Sequence, residues 1–341
     1  MPVIMIASPL EAEHVARIRA VDARLEVLHD PALLPPTRYT ADHKGAPFTR
    51  DRDQQAAWNA MLARADILFD LPSAPDMAHL GRLAWIQTTS TGVGQAVAEL
   101  GLDRRGILVT TARGVHARPL AEFTFMALLL HFRGLRHLEA EQRAHRWNRH
   151  CGQEIAGRTL VVIGAGDLAR GCARLARALN MHVVAVARDP AKSRAHDDLF
   201  HEVLPAAGLH AALARADAVV VTVPHTPATE NLLDRAAFAA MRPGVALVNI
   251  ARGAVVDEDA LADALRSGHV AFAALDVARV EPLPAASPLW DMANVLISPH
   301  SASTVTAENT RITDIFCHNL RCWLDGRHGE MRNVLDTARM Y

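Results

Sequence analysis

Apolar residues in this chain fall into short continuous runs, separated by stretches in which they recur every three or four positions. That is the pattern of strands buried on both faces alternating with amphipathic helices. The first stretch predicts strands at Val3 to Ala7, Leu25 to Leu28, Ile67 to Phe69, Leu83 to Gln87 and Ile107 to Thr110, with helices over about Leu10 to Val21 and Gln54 to Arg64. Pro31 to Arg50 has no period and is predicted as a long loop. Its Arg38, Tyr39, Asp42 and His43 either reach a substrate or merely decorate a solvated connection. From about Pro119 the run LAEFTFMALLLHFRGLRHLEAEQ predicts one long helix, apolar nearly all round in its first half and therefore buried between domains or between subunits. Further strands follow at Leu160 to Ile163, Ala218 to Thr222, Ala246 to Ile250, Ala271 to Asp276 and Val295 to Ile297. A helix over Glu258 to Ser267 is closed by Gly268, and a last helix covers Ser303 to Gly326. Such alternation predicts an α/β fold with parallel sheets covered by helices. Because the last helix follows the end of the second sheet, the chain is expected to return to its first domain. The predicted division is residues 1–115 with 303–341 around an inserted domain of 116–302.

The segment LVVIGAGDLARGCARLARALNMHVVAVARD, Leu160 to Asp189, joins an apolar strand, a glycine-rich turn, an amphipathic helix and a second strand. Each part has a physical reason. Gly164 permits the tight turn out of the strand, and Gly166 lets backbone approach a pyrophosphate. Ala169, where a third glycine is usual, still allows helix to pack closely on strand. Leu168, Cys172, Leu175, Ala176 and Leu179 form the apolar stripe of a helix running to about Asn180, whose N-terminal N–H groups suit phosphate. A dinucleotide site is expected, with ligand at the carboxyl ends of the strands.

Composition narrows the partners. The formal net charge is −1 over 341 residues, which with no long basic run argues against nucleic acid or an anionic membrane and for small molecules. No apolar run reaches the ~20 residues of a membrane span, and the opening MPVIMIASP does not read as a signal peptide. Cys151, Cys172, Cys317 and Cys322 show no metal spacing and are expected to be reduced, hence cytoplasmic. The eighteen histidines have no paired ligand spacing, so no metal is expected.

A nucleotide site suggests hydride transfer to a carbonyl, which needs a proton donor and an anchor for substrate charge. Arg252, in NIARGAVVDEDAL, follows a strand end, where a guanidinium can grip a carboxylate with two parallel hydrogen bonds. Glu281 in EPLP and His300 in SPHSAS each lie in a proline-marked loop after a strand. A carboxylate on the far ring nitrogen of a histidine favours the imidazolium that donates the proton. Spacing alone does not bring them together, and His300 by itself is one histidine of eighteen.

The segments TTARGVHARPLAEFTFMALLL, GAGDLA, PHTPATENLL, NIARGAVVDEDAL, ALDVARVEPLP and NVLISPHSAS, in this order, resemble the D-isomer-specific 2-hydroxyacid dehydrogenase family, glyoxylate and hydroxypyruvate reductases among them. The resemblance runs from about Leu83 to Ser303. It implies a Rossmann-like cofactor domain inserted in a flavodoxin-like substrate domain, with the site between two lobes, and a homodimer formed through the helix beginning near Pro119. It implies Arg252, Glu281 and His300 as the catalytic set, and Ser90, Thr91, Gly92 and Val93 as the loop whose N–H groups hold a substrate carboxylate. The expected cofactor contacts are Gly164, Gly166, Asp167, Leu168, Arg188, Pro224, Thr229, Ile250 and Asp276, the last touching the nicotinamide amide.

The cofactor turns on the end of the second strand. There Ala187 stands where NAD enzymes usually carry an acid, and Arg188 offers donors to a 2′-phosphate, with Lys192 and Arg194 adding field. NADP(H) is therefore favoured. If the turn shifts by two positions, Asp189 accepts from the ribose and NAD(H) is bound instead. The expected activity is reduction of a small 2-oxo acid, glyoxylate or hydroxypyruvate, to the D-2-hydroxy acid. With some forty residues after His300 the sequence has no room for a regulatory C-terminal domain, although a D-3-phosphoglycerate-type dehydrogenase remains an alternative. Formate dehydrogenases carry glutamine where this chain has Glu281. A nucleotide-sensing interaction protein of the same fold is the rival from another class, and an amino-acid dehydrogenase is disfavoured by the Glu281 and His300 motifs.

Overall fold

The computed structural model describes residues 1–194 and 198–337. Within it the side chains of Lys192 and Arg194 lie outside the described residues, so the field expected of them is not placed. Two compact units form: Met1–Val115 with the chain from Thr304 onward, and His116–Ser303.

The first unit is a five-stranded parallel sheet. Its strands are β1 (Val3–Ile6), β2 (Glu26–Leu28), β3 (Ile67–Phe69), β4 (Trp85–Gln87) and β5 (Leu108–Thr110), in the order β2-β1-β3-β4-β5. That order, reversing direction between β1 and β3, is the flavodoxin-like one. Alternate side chains point to opposite faces of each strand. Thus Ile4, Ile6, Ile67, Phe69 and Trp85 pack with the helices Ala12–Arg19 and Glu308–Leu324, while Met5, Leu68, Ile86 and Val109 pack with Trp58 and Leu62 of the helix Arg52–Arg64. Asp51 begins that helix as a capping box with Gln54, which satisfies otherwise orphaned N–H groups.

The second unit carries β6 (Thr159–Ile163), β7 (His182–Ala187), β8 (Glu202–Pro205), β9 (Ala218–Val221), β10 (Val245–Asn249), β11 (Val270–Leu275) and β12 (Val295–Ile297). All pair in parallel, in the order β12-β11-β10-β9-β6-β7-β8. This is the Rossmann order with a seventh strand, and its switch point lies between β6 and β9. One face packs Val161 and Ile163 against the helices Leu209–Leu213, Arg235–Ala240 and Glu258–Arg266. The other packs Leu160 and Val162 against Ala117–Phe132 and Asp167–Ala178.

Several elements differ from the sequence expectation. The single long helix is two, Ala117–Phe132 and Leu135–Arg143, because Gly134 between them takes a left-handed φ of 67°. That first helix is not wholly covered within the chain, since Met126 and Leu129 are exposed. The last helix begins at Glu308, after a stretch from Ser303 that is not helical. The edge strand β8 and the helices Gly94–Glu99 and Arg235–Ala240 are too short for a periodic signal. The 31–50 loop is no plain solvated connection. Asp42 is buried, accepting from Arg38 Nε at 2.7 Å and the Gly45 N–H at 3.0 Å, and His43 Nε2 lies 3.4 Å from Glu308 Oε1. No helix among the described residues is long and apolar enough to cross a membrane. Among the described residues no group of three His, Cys, Asp or Glu is placed to hold a metal ion.

Candidate active site

At the switch point β6 is followed by Gly164, whose φ is 114° and whose N–H donates to the Val186 carbonyl at 2.8 Å. A Cβ there would stand 2.5 Å from Thr222 Oγ1, which itself donates to the Ile163 carbonyl at 2.7 Å. Glycine is thus required twice, by backbone conformation and by the close strand β9. A Cβ at Gly166 meets nothing within 4 Å, so the backbone there faces open space. Gly166 is the N-cap of the helix Asp167–Ala178 and makes no side-chain cap, and a helix start with a glycine before it is where backbone and dipole suit an anion. Within that helix Ala169 is fully buried, while Leu168 is half-buried near its start. This cradle fits a dinucleotide pyrophosphate.

The flanks complete the strand ends. Ala187 is the buried last residue of β7, and Arg188 and Asp189 follow it exposed. The Asp189 carbonyl accepts from Ser193 Oγ at 2.8 Å, which commits it to the next turn. After β9, Thr229 Oγ1 donates to the Pro224 carbonyl at 2.7 Å and accepts from the Thr226 N–H at 2.8 Å. The Thr229 hydroxyl therefore shapes the turn that presents Pro224. Ile250 is buried just past β10.

Residues from the ends of the adjacent strands β10, β11 and β12 make up the candidate reactive group. Arg252 lies exposed beyond β10 with Nη1 donating to the Ala251 carbonyl at 2.7 Å. Asn249, the buried last residue of β10, holds this turn through its amide, which donates to the Arg252 carbonyl at 3.2 Å and accepts from the Ala251 N–H at 3.1 Å. Asp276, just after β11, is buried. Its Oδ1 accepts from Ser298 Oγ at 2.7 Å and from the N–H groups of Ser301 and Ala302 at 2.9 Å. These bonds wrap the loop after β12 around Asp276 and fix where His300 emerges.

His300 sits in the left-handed region at φ 53°, its N–H donating to the Asp276 carbonyl at 2.8 Å. That conformation costs a β-carbon residue about 1 kcal/mol and persists because the surroundings hold it. It turns the ring so that Nδ1 meets Glu281 Oε2 at 2.7 Å, and Glu281 Oε1 accepts from the Ala278 N–H at 3.1 Å. A carboxylate at Nδ1 assigns the proton to that nitrogen and leaves Nε2 for exchange with a ligand. The structure therefore joins Glu281 and His300, which spacing could not, while among the described residues Arg252 bonds to neither.

Sequence reasoning missed Arg279, Asn231, Thr222 and Asn249. Only Asn249 left a signal, a polar residue closing the apolar run VALVN. Arg279 donates through Nη2 to Glu230 Oε1 at 2.9 Å and through Nη1 to Asn231 Oδ1 at 2.6 Å. Hydrogen bonding from His225, and more weakly from Arg279, holds the Glu230 carboxyl below the ordinary carboxylate range. In the first unit Ser90, Thr91 and Gly92 form an exposed turn beyond β4, with Val93 buried before the helix Gly94–Glu99. The Ser90 carbonyl accepts from Thr88 Oγ1 at 2.7 Å and the Ala112 N–H at 3.1 Å, which fixes the turn from inside.

Comparison with known proteins identifies the family. The family described as D-isomer specific 2-hydroxyacid dehydrogenase, NAD binding domain, matches residues 125–302. A D-3-phosphoglycerate dehydrogenase of Mycobacterium leprae is 38% identical over 75% of this chain and 48% of its own length. This chain thus spans about half the length of that relative. Among solved structures, a D-isomer specific 2-hydroxyacid dehydrogenase family protein from Aeromonas salmonicida superposes with a TM-score of 0.81 at 27% identity, covering 98% of this chain and 99% of that one. An NADPH-dependent glyoxylate/hydroxypyruvate reductase from Sinorhizobium meliloti, in complex with NADP and sulfate, superposes at 0.77 with 25% identity, covering 100% of both chains. With a family match over more than half its length and a nicotinamide-binding fold to carry it, the chain belongs to the D-isomer specific 2-hydroxyacid dehydrogenases.

Proposed function

We propose that this protein reduces a small 2-oxo acid, of the glyoxylate or hydroxypyruvate type, to the D-2-hydroxy acid with NADPH. The observation that carries the reading is the His300 to Glu281 contact of 2.7 Å, held at the ends of neighbouring strands in a dinucleotide fold. A bound nicotinamide would supply the hydride that C2 of the acid takes up. As that carbon gains the hydride its oxygen gains negative charge, and His300 donates the Nε2 proton to it. Glu281, ionised at Nδ1, stabilises the imidazolium before the transfer. The ring is half-exposed, so it recovers a proton from solvent afterwards. Arg252 holds the substrate carboxylate by two parallel hydrogen bonds. Asp276 would hold the carboxamide of a bound nicotinamide.

Three observations support the finer terms of the reading. Ala187 brings no negative charge to repel a 2′-phosphate, Arg188 follows it exposed, and the Sinorhizobium meliloti relative binds NADP. The Asp189 carbonyl is engaged in the turn after β7, but its carboxylate keeps NADH in play. Exposed Met126 and Leu129 on the helix Ala117–Phe132 support a homodimer formed through that helix. The 38% identity to a phosphoglycerate dehydrogenase favours a second reading, a substrate bearing a phosphate. Measuring kcat/KM for glyoxylate, hydroxypyruvate and 3-phosphohydroxypyruvate with NADPH and with NADH separates these. Higher values for the unphosphorylated acids with NADPH are expected. An NADH preference overturns the cofactor assignment, a preference for the phosphorylated acid overturns the substrate, and no turnover with any 2-oxo acid leaves the interaction-protein reading.

A further inference from the structure

We propose that Arg279 is a positioning residue, which through Glu230 and Asn231 holds the loop bearing Glu281 so that its carboxylate meets His300. The inference rests on the reading of that pair as the proton donor and its partner. The loop after β11 has few internal ties. Within it the Ala278 N–H donates to Glu281 Oε1 at 3.1 Å, so the carboxylate's position depends on the backbone at 278. That backbone is fixed from below and from the side. Below lies Gly253, the residue after Arg252, where a Cβ would fall 2.0 Å from the Ala278 carbonyl carbon. From the side the Arg279 N–H donates to Glu258 Oε2 at 3.0 Å, and its guanidinium takes both Glu230 Oε1 and Asn231 Oδ1.

Asn231 makes the arrangement specific. It sits at φ 49°, a conformation asparagine tolerates better than most residues, and its N–H donates to the Ala254 carbonyl at 2.9 Å. One residue thus ties the loop of Arg252, through Ala254, to the loop of Glu281, through Arg279. The loops after β9, β10 and β11 become one assembly carrying the carboxylate anchor and the partner of the proton donor at fixed spacing. Among the described residues the guanidinium bonds the carboxylate of Glu230, which His225 meets from its other oxygen at 2.5 Å, while Glu258 takes only the backbone N–H of Arg279. Arg279 and Glu230 are each about two-fifths exposed, so their pair adds little to global stability and the Arg279→Ala protein is expected to fold.

The test compares Arg279→Ala, Arg279→Lys, Asn231→Gly and Glu281→Gln with the unaltered protein. One readout is the titration of the His300 imidazole by NMR, assigned from the spectrum of His300→Gln, and the other is the basic limb of the kcat/KM profile. Glu281→Gln moves both to lower pH. Arg279→Ala is expected to move both in the same direction by about half a pH unit, lowering kcat while nicotinamide affinity holds. Arg279→Lys, which keeps the charge, should recover part of the shift. Asn231→Gly keeps the positive φ, loses the side-chain acceptor, and should show part of it. If Glu281→Gln shifts both readouts and Arg279→Ala shifts neither, the positioning role is wrong and the proton-donor reading stands. If Glu281→Gln shifts neither, the pair is uncoupled and both fail. The NMR titration reports on the pair even without turnover.

Discussion

His300 owes its placement to two features no neighbouring residue announces, a left-handed backbone conformation and a carboxylate nineteen residues earlier in the chain. The first aims the ring and the second fixes which nitrogen holds the proton. Replacing it with glutamine keeps a hydrogen-bonding side chain but removes the titratable proton, so kcat should fall by about 2–4 orders of magnitude while nicotinamide binding, followed by fluorescence, is retained. Near-normal turnover in that variant would remove His300 from the mechanism. Glu281, His300 and Arg252 were legible in the sequence because each stands just past an apolar strand beside a proline or glycine. Arg279 and Asn231 were not, because their role lies in contacts across 48 positions of chain that leave no local pattern.

Between residues and elements the close approaches decide what is tolerated. The loop Arg252 to Val256 lies so near the Ala278 to Glu281 loop that only glycine fits at position 253. Gly253→Ala should push the loops apart, costing about 1–3 kcal/mol in stability and lowering kcat/KM more than nicotinamide affinity, as read by thermal melts and steady-state kinetics. An alanine variant with unchanged kinetics would show that loop spacing does not matter. The 31–50 loop, which lacks period in the sequence, is organised from within by Asp42. Hydrogen bonds from Arg38 hold its carboxyl well below the usual range despite its burial. The native state therefore prefers the ionised form. This contribution is complete above the unfolded value near pH 4 and is lost as pH falls toward the lower native one. Asp42→Asn should lower the melting temperature at pH 7, and the gap to the unaltered protein should narrow steadily below pH 4. A gap that stays constant in acid would mean the ion pair contributes nothing. The helix split at Gly134 and the edge strand β8 escaped the sequence reading for the converse reason, since apolar periodicity runs through the one and is too brief in the other.

Over the whole molecule the four thiols sort by burial. Cys151 is exposed, whereas Cys172, Cys317 and Cys322 are buried, and burial pushes the Cys172 thiol up to about 12. One thiol should react with a water-soluble disulfide reagent in the native protein and four after denaturation. Rapid native labelling of Cys172 would mean that the helix Asp167–Ala178 opens. The two units themselves were readable, because strands buried on both faces are continuous apolar runs and glycine marks the dinucleotide turn. Sequence determined by itself the α/β class and the nucleotide-binding turn, since each depends on local composition and period. Tertiary structure alone decided that Glu281 reaches His300, that Gly253 lies beneath Ala278, and that Asn231 and Arg279 join the two loops. Parallel strands bring together at one sheet edge residues that the crossover helices hold far apart along the chain, and such distances are written only in the folded state.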